Sequence, residues 1–159
     1  MIGISTIKMM RYNENKKGGG KMRVVELVRN YIDTKTFWKL PLDLQQQVLC
    51  ALFKDICDLY GIDGVELCIK VDPVMYSMTG GGCYFPSERK IYLYKISLMT
   101  FLHEIAHAIM DLSEEKAVLW SHKVFYLAFP RLYMANVRKG RFFHIVSIED
   151  LEKFNECLK

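Results

Sequence analysis

The five cysteines of the sequence include no C-x-x-C pair, which argues against a cysteine-based zinc site. Their odd number favours reduced, mostly buried thiols of an intracellular protein. The sequence also lacks an apolar run of membrane-spanning length without a charge or histidine, and its N-terminus lacks a signal-peptide core and cleavage site. We therefore expect no membrane partner and a cytoplasmic protein, encoded by a cell, a virus or a plasmid.

Length and composition are those of one globular domain, since the chain has 159 residues of which 51% are hydrophobic and 25% are charged. A net charge of +4 permits a nucleic-acid partner without requiring one. Residues 1–21 are rich in glycine and lysine and predict a flexible, basic lead-in. The single folded domain is therefore expected over 22–159.

The periodicity of apolar residues predicts a mixture of helices and strands. Helices are expected over 22–34, 41–59, 96–110 and 114–128, with a short final helix after Ser147. Strands are expected over 64–71, 89–94 and 142–146. The glycine-rich stretch 79–84 predicts a mobile hairpin connection or a strand edge that substrate backbone can approach. Together these elements predict an α+β fold with a small sheet packed on helices.

One stretch of the sequence carries recognisable chemistry, the H-E-x-x-H motif from His103 to His107. Positions four apart share a helix face, so both imidazoles can point at one metal ion. Glu104 lies one position further round, where it can take a proton from a metal-bound water and deliver it to a leaving amine. The motif predicts a catalytic Zn²⁺ site and hydrolysis. The alternatives are a buried helix with satisfied histidines and a binding module with structural zinc.

The third protein ligand of this metal is left open by the motif. Met110 and Ser113 stand where the metzincin extension has glycine and histidine, so that extension is absent. Asp111 is on the same helix, and a straight helix cannot aim three successive turns at one ion. The remaining candidates are Glu114, Glu115, His122 and His144.

The region 84–125 resembles the SprT-like zinc metalloproteases, which include the Spartan proteases. The matching segments are Gly82-Cys83-Tyr84, Ile91-Tyr92-Leu93, Leu102 through Ala108, and His122-Lys123-Val124-Phe125. The resemblance implies a minimal zincin fold, one zinc per chain with His122 as third ligand, and protein or peptide substrates that include DNA-associated proteins. Position 123 is Lys where the family commonly has Gly.

A second resemblance is to the antirepressor-cleaving proteases named after ImmA and IrrE, which complete the metal site with a glutamate. Glu114-Glu115-Lys116-Ala117 and Ala128-Phe129-Pro130 are similar to their pattern. Val118 stands in place of the family's Asn, and the distance from Ala117 to Pro130 is longer than in that pattern. This family ranks second.

Helix geometry also favours His122 as the third ligand. If the metal helix and the next helix run antiparallel about a turn near residue 112, His122 lies roughly 3 Å from the level of the metal. Glu115 lies roughly 7–8 Å away on the other side and is kept as the alternative. We expect Glu114 to stabilise the helix N-terminus, and His144 to be a packed or surface residue on a strand.

Basic residues follow this second helix and also mark the N-terminal segment. They are Arg131, Arg138, Lys139 and Arg141, together with Lys16, Lys17 and Lys21. Such a distribution predicts either a nucleic-acid partner or an ordinary solvated face.

Overall fold

The computed structural model describes residues 23–110 and 113–158, which form an α+β fold of seven α-helices and one mixed three-stranded sheet. The helices are α1 (Val24–Tyr31), α2 (Leu42–Tyr60), α3 (Pro73–Thr79), α4 (Leu98–Ile109), α5 (Glu114–Ala128), α6 (Pro130–Arg138) and α7 (Ile148–Lys153). The strands are β1 (Glu66–Ile69), β2 (Gly82–Phe85) and β3 (Lys90–Leu93). Segment 1–21, which includes Lys16, Lys17 and Lys21, lies outside the described residues. No helix within those ranges is long and apolar enough to cross a membrane.

The sheet has the order β1-β3-β2, with β3 parallel to β1 and antiparallel to β2. The ladder between β2 and β3 pairs Gly82 with Leu93 and Phe85 with Lys90, which leaves β2 at the edge. Helix α4 packs against β2, β3 and α5. The hydrophobic core lies between these elements and buries Phe101 and Trp120 completely. An edge strand is thereby held beside the helix that carries the H-E-x-x-H motif.

The longer helices agree with the periodicity of the sequence. Helix α5 covers 114–128 as predicted, and its N-cap Ser113 accepts a hydrogen bond from the main chain of Lys116. Helix α2 begins after Pro41 and ends at Gly61, whose φ of 66° is the left-handed conformation that glycine adopts readily. The predicted α+β class is confirmed at this level.

Two stretches differ from the sequence-based prediction. The glycine-rich stretch 79–84 is the end of helix α3, which was not predicted, followed by strand β2. The prediction of a strand over 142–146 was wrong, because these residues pair with no neighbouring strand and lie between α6 and α7 without regular structure. Their exposure still alternates residue by residue, which is the pattern that suggested a strand.

Two basic side chains connect helix α5 to other helices through hydrogen bonds, at positions away from the H-E-x-x-H motif. The buried Lys123 donates hydrogen bonds through Nζ to the carbonyl oxygens of Leu151 and Glu152 in α7. Arg29 of α1 donates to the carbonyl oxygens of Leu127 and Ala128 at the C-terminus of α5. Lys123, where the resembled family commonly has glycine, therefore joins α5 to α7.

Candidate metal centre

Two imidazoles of α4 and one carboxylate of α5 meet at a single point. Nε2 of His103 lies 3.1 Å from Oε1 of Glu114, and Nε2 of His107 lies 3.2 Å from its Oε2. One ligand atom from each of these residues can be chosen so that all three lie within 4.8 Å of one another. Tetrahedral zinc with bonds of about 2.0–2.1 Å places its ligand atoms roughly 3.3–3.5 Å apart. The donor types and spacing therefore fit a zinc ion.

Glu114 occupies the first position of α5, where a carboxylate is favoured by the partial positive charge of the helix N-terminus. The sequence analysis gave it that role alone, but the structure also directs its carboxylate at both histidines. Glu115, the alternative ligand considered from sequence, lies outside the group of three, as does His122. The third residue that the structure brings to the motif is thus Glu114.

His122 is 2% exposed and lies inside the protein, on α5. Its Nδ1 is 2.7 Å from the phenol oxygen of Tyr133, and its ring packs edge-on against Phe142. Burial lowers the pKa of His122 to about 4, with smaller contributions from His144 and His103. The ring is therefore neutral at pH 7, and its hydrogen bond is to Tyr133.

Glu104 lies beside the two histidines and is 7% exposed. Burial, followed by the charge of Glu114, raises its pKa to about 7, while a main-chain hydrogen bond from Tyr84 on β2 acts in the opposite direction. A carboxyl group with a pKa near neutrality can both accept and release a proton at pH 7. Burial also lowers the pKa of His103, which keeps this imidazole in the neutral form that metals bind.

His107 differs from most metal-binding histidines at Nδ1, the ring nitrogen that does not contact Glu114. Its Nδ1 is buried and has no hydrogen-bond partner among the residues that the structure describes. Metal-binding histidines commonly donate this second N–H to a carboxylate, a carbonyl or water, which fixes the orientation of the ring. Here the orientation of His107 rests on the contact of Nε2 with Glu114 and on packing beside the buried Ile105 and Ala106 of α4.

The group formed by His103, His107 and Glu114, called the candidate metal-binding group below, opens into a cleft of about 450 Å³. One wall is the start of edge strand β2, from Gly82 to Tyr84, and Pro86 lies at its end. A Cβ atom added to Gly82 would lie 2.9 Å from the carbonyl oxygen of Tyr92 and 2.9 Å from Cγ2 of Thr100. Glycine at position 82 thus lets β2 approach both β3 and α4, which places the strand at the cleft.

His144 also reaches this site, although the sequence analysis placed it on a strand as a packed or surface residue. Its Nε2 lies 3.5 Å from Oε1 of Glu114, and its ring is stacked on His103 with centroids 6.1 Å apart. The chain has four histidines, and all of them lie in or next to the site. The small number of histidines was the feature of the sequence that could have pointed to His144 as a residue of the site.

The basic residues of the predicted nucleic-acid surface are exposed on α6 and in the turn that follows it. They are Arg131, Arg138, Lys139 and Arg141. Nothing in their arrangement distinguishes phosphate binding from solvation, so the nucleic-acid partner stays a prediction.

Comparisons with models of protein families, with curated proteins and with solved structures gave no match in any of the three cases. The resemblances to the SprT-like proteases and to the antirepressor-cleaving proteases therefore stay predictions from the motif and its surroundings.

Proposed function

We propose that the protein is a zinc-dependent peptidase with a minimal zincin-like fold, and that His103, His107 and Glu114 hold the metal. The observation that carries the proposal is the convergence of two imidazole nitrogen donors and one carboxylate beside a buried fourth group, Glu104. Three protein ligands leave one coordination position free, as in catalytic zinc sites, whereas structural sites are closed by four.

Zinc in such a site lowers the pKa of a water molecule and polarises the carbonyl of a peptide bond. Glu104 accepts a proton from the water as its oxygen forms a bond to the carbonyl carbon. The same carboxyl then gives the proton to the amide nitrogen while the carbon–nitrogen bond breaks, so that a carboxylic acid and an amine leave. The pKa near 7 suits Glu104 for both transfers.

The substrate in this proposal is an extended segment of a protein or peptide. Edge strand β2 borders the cleft and presents main-chain groups on its outer side, which can pair with substrate backbone. The similarity to SprT-like proteases favours proteins associated with DNA. The carboxylate ligand favours the second candidate, a regulatory protease of the antirepressor-cleaving type, because Glu114 begins the Glu-x-x-Ala sequence shared with that family.

The test compares Glu104→Gln with the parent protein on a library of peptides, with cleavage read by mass spectrometry. We expect the variant to bind one zinc per chain and keep its fold, but to lose at least about 100-fold in rate, the contribution of a positioned base. Glu115→Gln, which changes an exposed neighbour in the same way, serves as control. Cleavage by Glu104→Gln at the parental rate would refute the proposal.

A further inference from the structure

We propose that His144 stabilises the transition state by donating a hydrogen bond from Nε2 to the carbonyl oxygen of the bond being cleaved. The inference rests on the proposed peptidase function and adds a residue that the H-E-x-x-H motif does not contain. Donors aimed at the oxygen where negative charge develops are among the largest contributions to acyl-transfer catalysis.

The position of His144 relative to the candidate metal-binding group supports this role. Nε2 of His144 is 3.5 Å from Glu114, so the nitrogen faces the same space as the imidazole nitrogens of His103 and His107. An imidazole nitrogen that carries a proton is a hydrogen-bond donor, and the carboxylate of Glu114 favours a proton on the nearby Nε2. His144 thus presents a donor beside Glu114 and His103, next to the three proposed ligands.

His144 is not a fourth metal ligand in this arrangement. A tetrahedral site requires every pair of ligand atoms to lie roughly 3.3–3.5 Å apart. The group that meets the 4.8 Å limit contains His103, His107 and Glu114 but does not include His144. The imidazole therefore lies next to the group of three, in contact with Glu114, without belonging to it.

His144 is also a poor candidate for orienting Glu114. A separation of 3.5 Å is long for a charge-assisted hydrogen bond, which is about 2.7–2.9 Å. The side chain is 41% exposed, and it belongs to the segment 142–146 that has no regular structure. A half-exposed donor with a weak protein contact is available to a substrate.

Three tyrosines, Tyr84, Tyr126 and Tyr133, also carry phenol donors, and two of them are packed against each other within the protein. Tyr133 is fully buried and bonded to His122, and Tyr126 packs edge-on against Tyr133. Tyr84 pairs with the buried Ile91 across the sheet and packs against the core. The Nε2 donor of His144, by contrast, lies 3.5 Å from the proposed ligand Glu114.

The experiment compares three zinc-loaded variants with the parent, namely His144→Ala, His144→Gln and Phe143→Ala. Glutamine keeps an N–H donor at a similar reach, and Phe143 is a 95% exposed neighbour that serves as control. The readouts are zinc affinity, kcat and KM on a cleaved library peptide, and the affinity for the phosphinic dipeptide analogue of Phe-Ala, whose tetrahedral phosphorus replaces the reacting carbon.

We expect His144→Ala to lower kcat by about 100- to 1,000-fold, to weaken phosphinic peptide binding by a comparable factor, and to change KM and zinc affinity less than about threefold. His144→Gln should recover at least about tenfold of the lost kcat, and Phe143→Ala should match the parent. The inference would be overturned if His144→Ala kept the kcat and the phosphinic peptide affinity of the parent. It would also be overturned if zinc affinity fell in parallel with activity, because His144 would then act by positioning Glu114.

The result for Glu104→Gln separates failure of this inference from failure of the proposed function. If that variant is inactive while His144→Ala is fully active, only the role of His144 is overturned. If Glu104→Gln cleaves as the parent does, or if the parent binds neither zinc nor the phosphinic peptide, both proposals are overturned.

Discussion

The imidazole of His122 and the phenol of Tyr133 form a hydrogen-bonded pair in the protein interior, with Nδ1 and the phenol oxygen 2.7 Å apart. His122 is 2% exposed and Tyr133 is 0% exposed, so neither group can exchange its partner for bulk water. The pair joins α5 to α6 immediately behind the candidate metal centre. This relationship gives His122 a structural role that the sequence alone did not suggest.

Replacing His122 with Ala is expected to destabilise the metal-free protein by about 2–4 kcal/mol, because it leaves a cavity and an unpaired hydroxyl. Zinc affinity should stay within about threefold of the parent. Urea unfolding in the presence of a chelator measures the first quantity, and competition with a chromophoric chelator measures the second. A drop in zinc affinity of about 100-fold or more, roughly the minimum effect of losing a ligand, would identify His122 as a ligand after all.

The buried His122 also predicts a pH dependence of stability. Its pKa of about 4 in the folded protein is below the ordinary value of 6.5, so the unfolded chain binds the proton more readily. The stability of the metal-free protein should therefore fall as pH is lowered from 6.5 to 4, by up to about 3 kcal/mol from this group. The control is His122→Phe, which removes the titrating imidazole and keeps His103 and His144, the two residues whose charges act on position 122. An identical pH slope for parent and control would contradict the prediction.

Glu114→Ala should weaken zinc binding by at least about 100-fold. Losing a residue that only hydrogen-bonds a metal ligand already lowers metal affinity by about 10- to 100-fold, and losing a ligand should cost more. Glu115→Ala is a matched control because it removes the adjacent, exposed carboxylate from the same helical turn. Its zinc affinity should equal that of the parent. The opposite order of the two affinities would restore Glu115 as the metal ligand.

Lys123→Met should lower the free energy of unfolding by about 1.5–3 kcal/mol, because it removes the charge-assisted hydrogen bonds to two carbonyl oxygens of α7. Lys153→Met is the control, since Lys153 forms an exposed ion pair with Glu149 and should change stability by less than about 1 kcal/mol. Both are measured by urea unfolding. Equal effects of the two substitutions would show that the contact of Lys123 with α7 contributes little.

Gly82→Ala should destabilise the protein by about 2–3 kcal/mol, because the added methyl meets the main chain of Tyr92, which cannot move aside. Gly80→Ala adds the same methyl into open space and costs only the strain of its φ of 74°, about 1–2 kcal/mol. We also expect only the Gly82 variant to lose activity, since β2 carries the main-chain donor to Glu104. Full activity in Gly82→Ala would mean that β2 tolerates displacement.

The parts of the site that could be predicted from the sequence are those set by a single helix. His103, Glu104 and His107 are spaced by helical geometry alone, and apolar residues around them identify the helix. Glu114 could not be placed this way, because its position depends on the connection between two helices. The four residues 110–113 between α4 and α5 can span up to about 13 Å, which exceeds the offset of roughly 7–8 Å expected for the adjacent Glu115.

The sheet was predicted less completely than the helices for a related reason. Strand β2 has four residues and begins with Gly82, so its sequence carries a turn signal where the structure has a strand. Its pairing with β3 and its contact with α4 are tertiary features. Conversely, residues 142–146 have the alternation of a strand but no neighbour to pair with.

The three proposed ligands all fall within twelve consecutive residues, 103–114, and only six residues separate His107 from Glu114. Closing a loop of six residues costs about 0.7 kcal/mol less chain entropy than closing one of fourteen, the separation that His122 would require. Ligand capture is therefore a local event of low contact order, and it does not depend on the sheet. We expect a peptide covering 97–128 to bind zinc on its own, more weakly than the folded domain. Zinc could then bring α4 and α5 together before the rest of the chain folds.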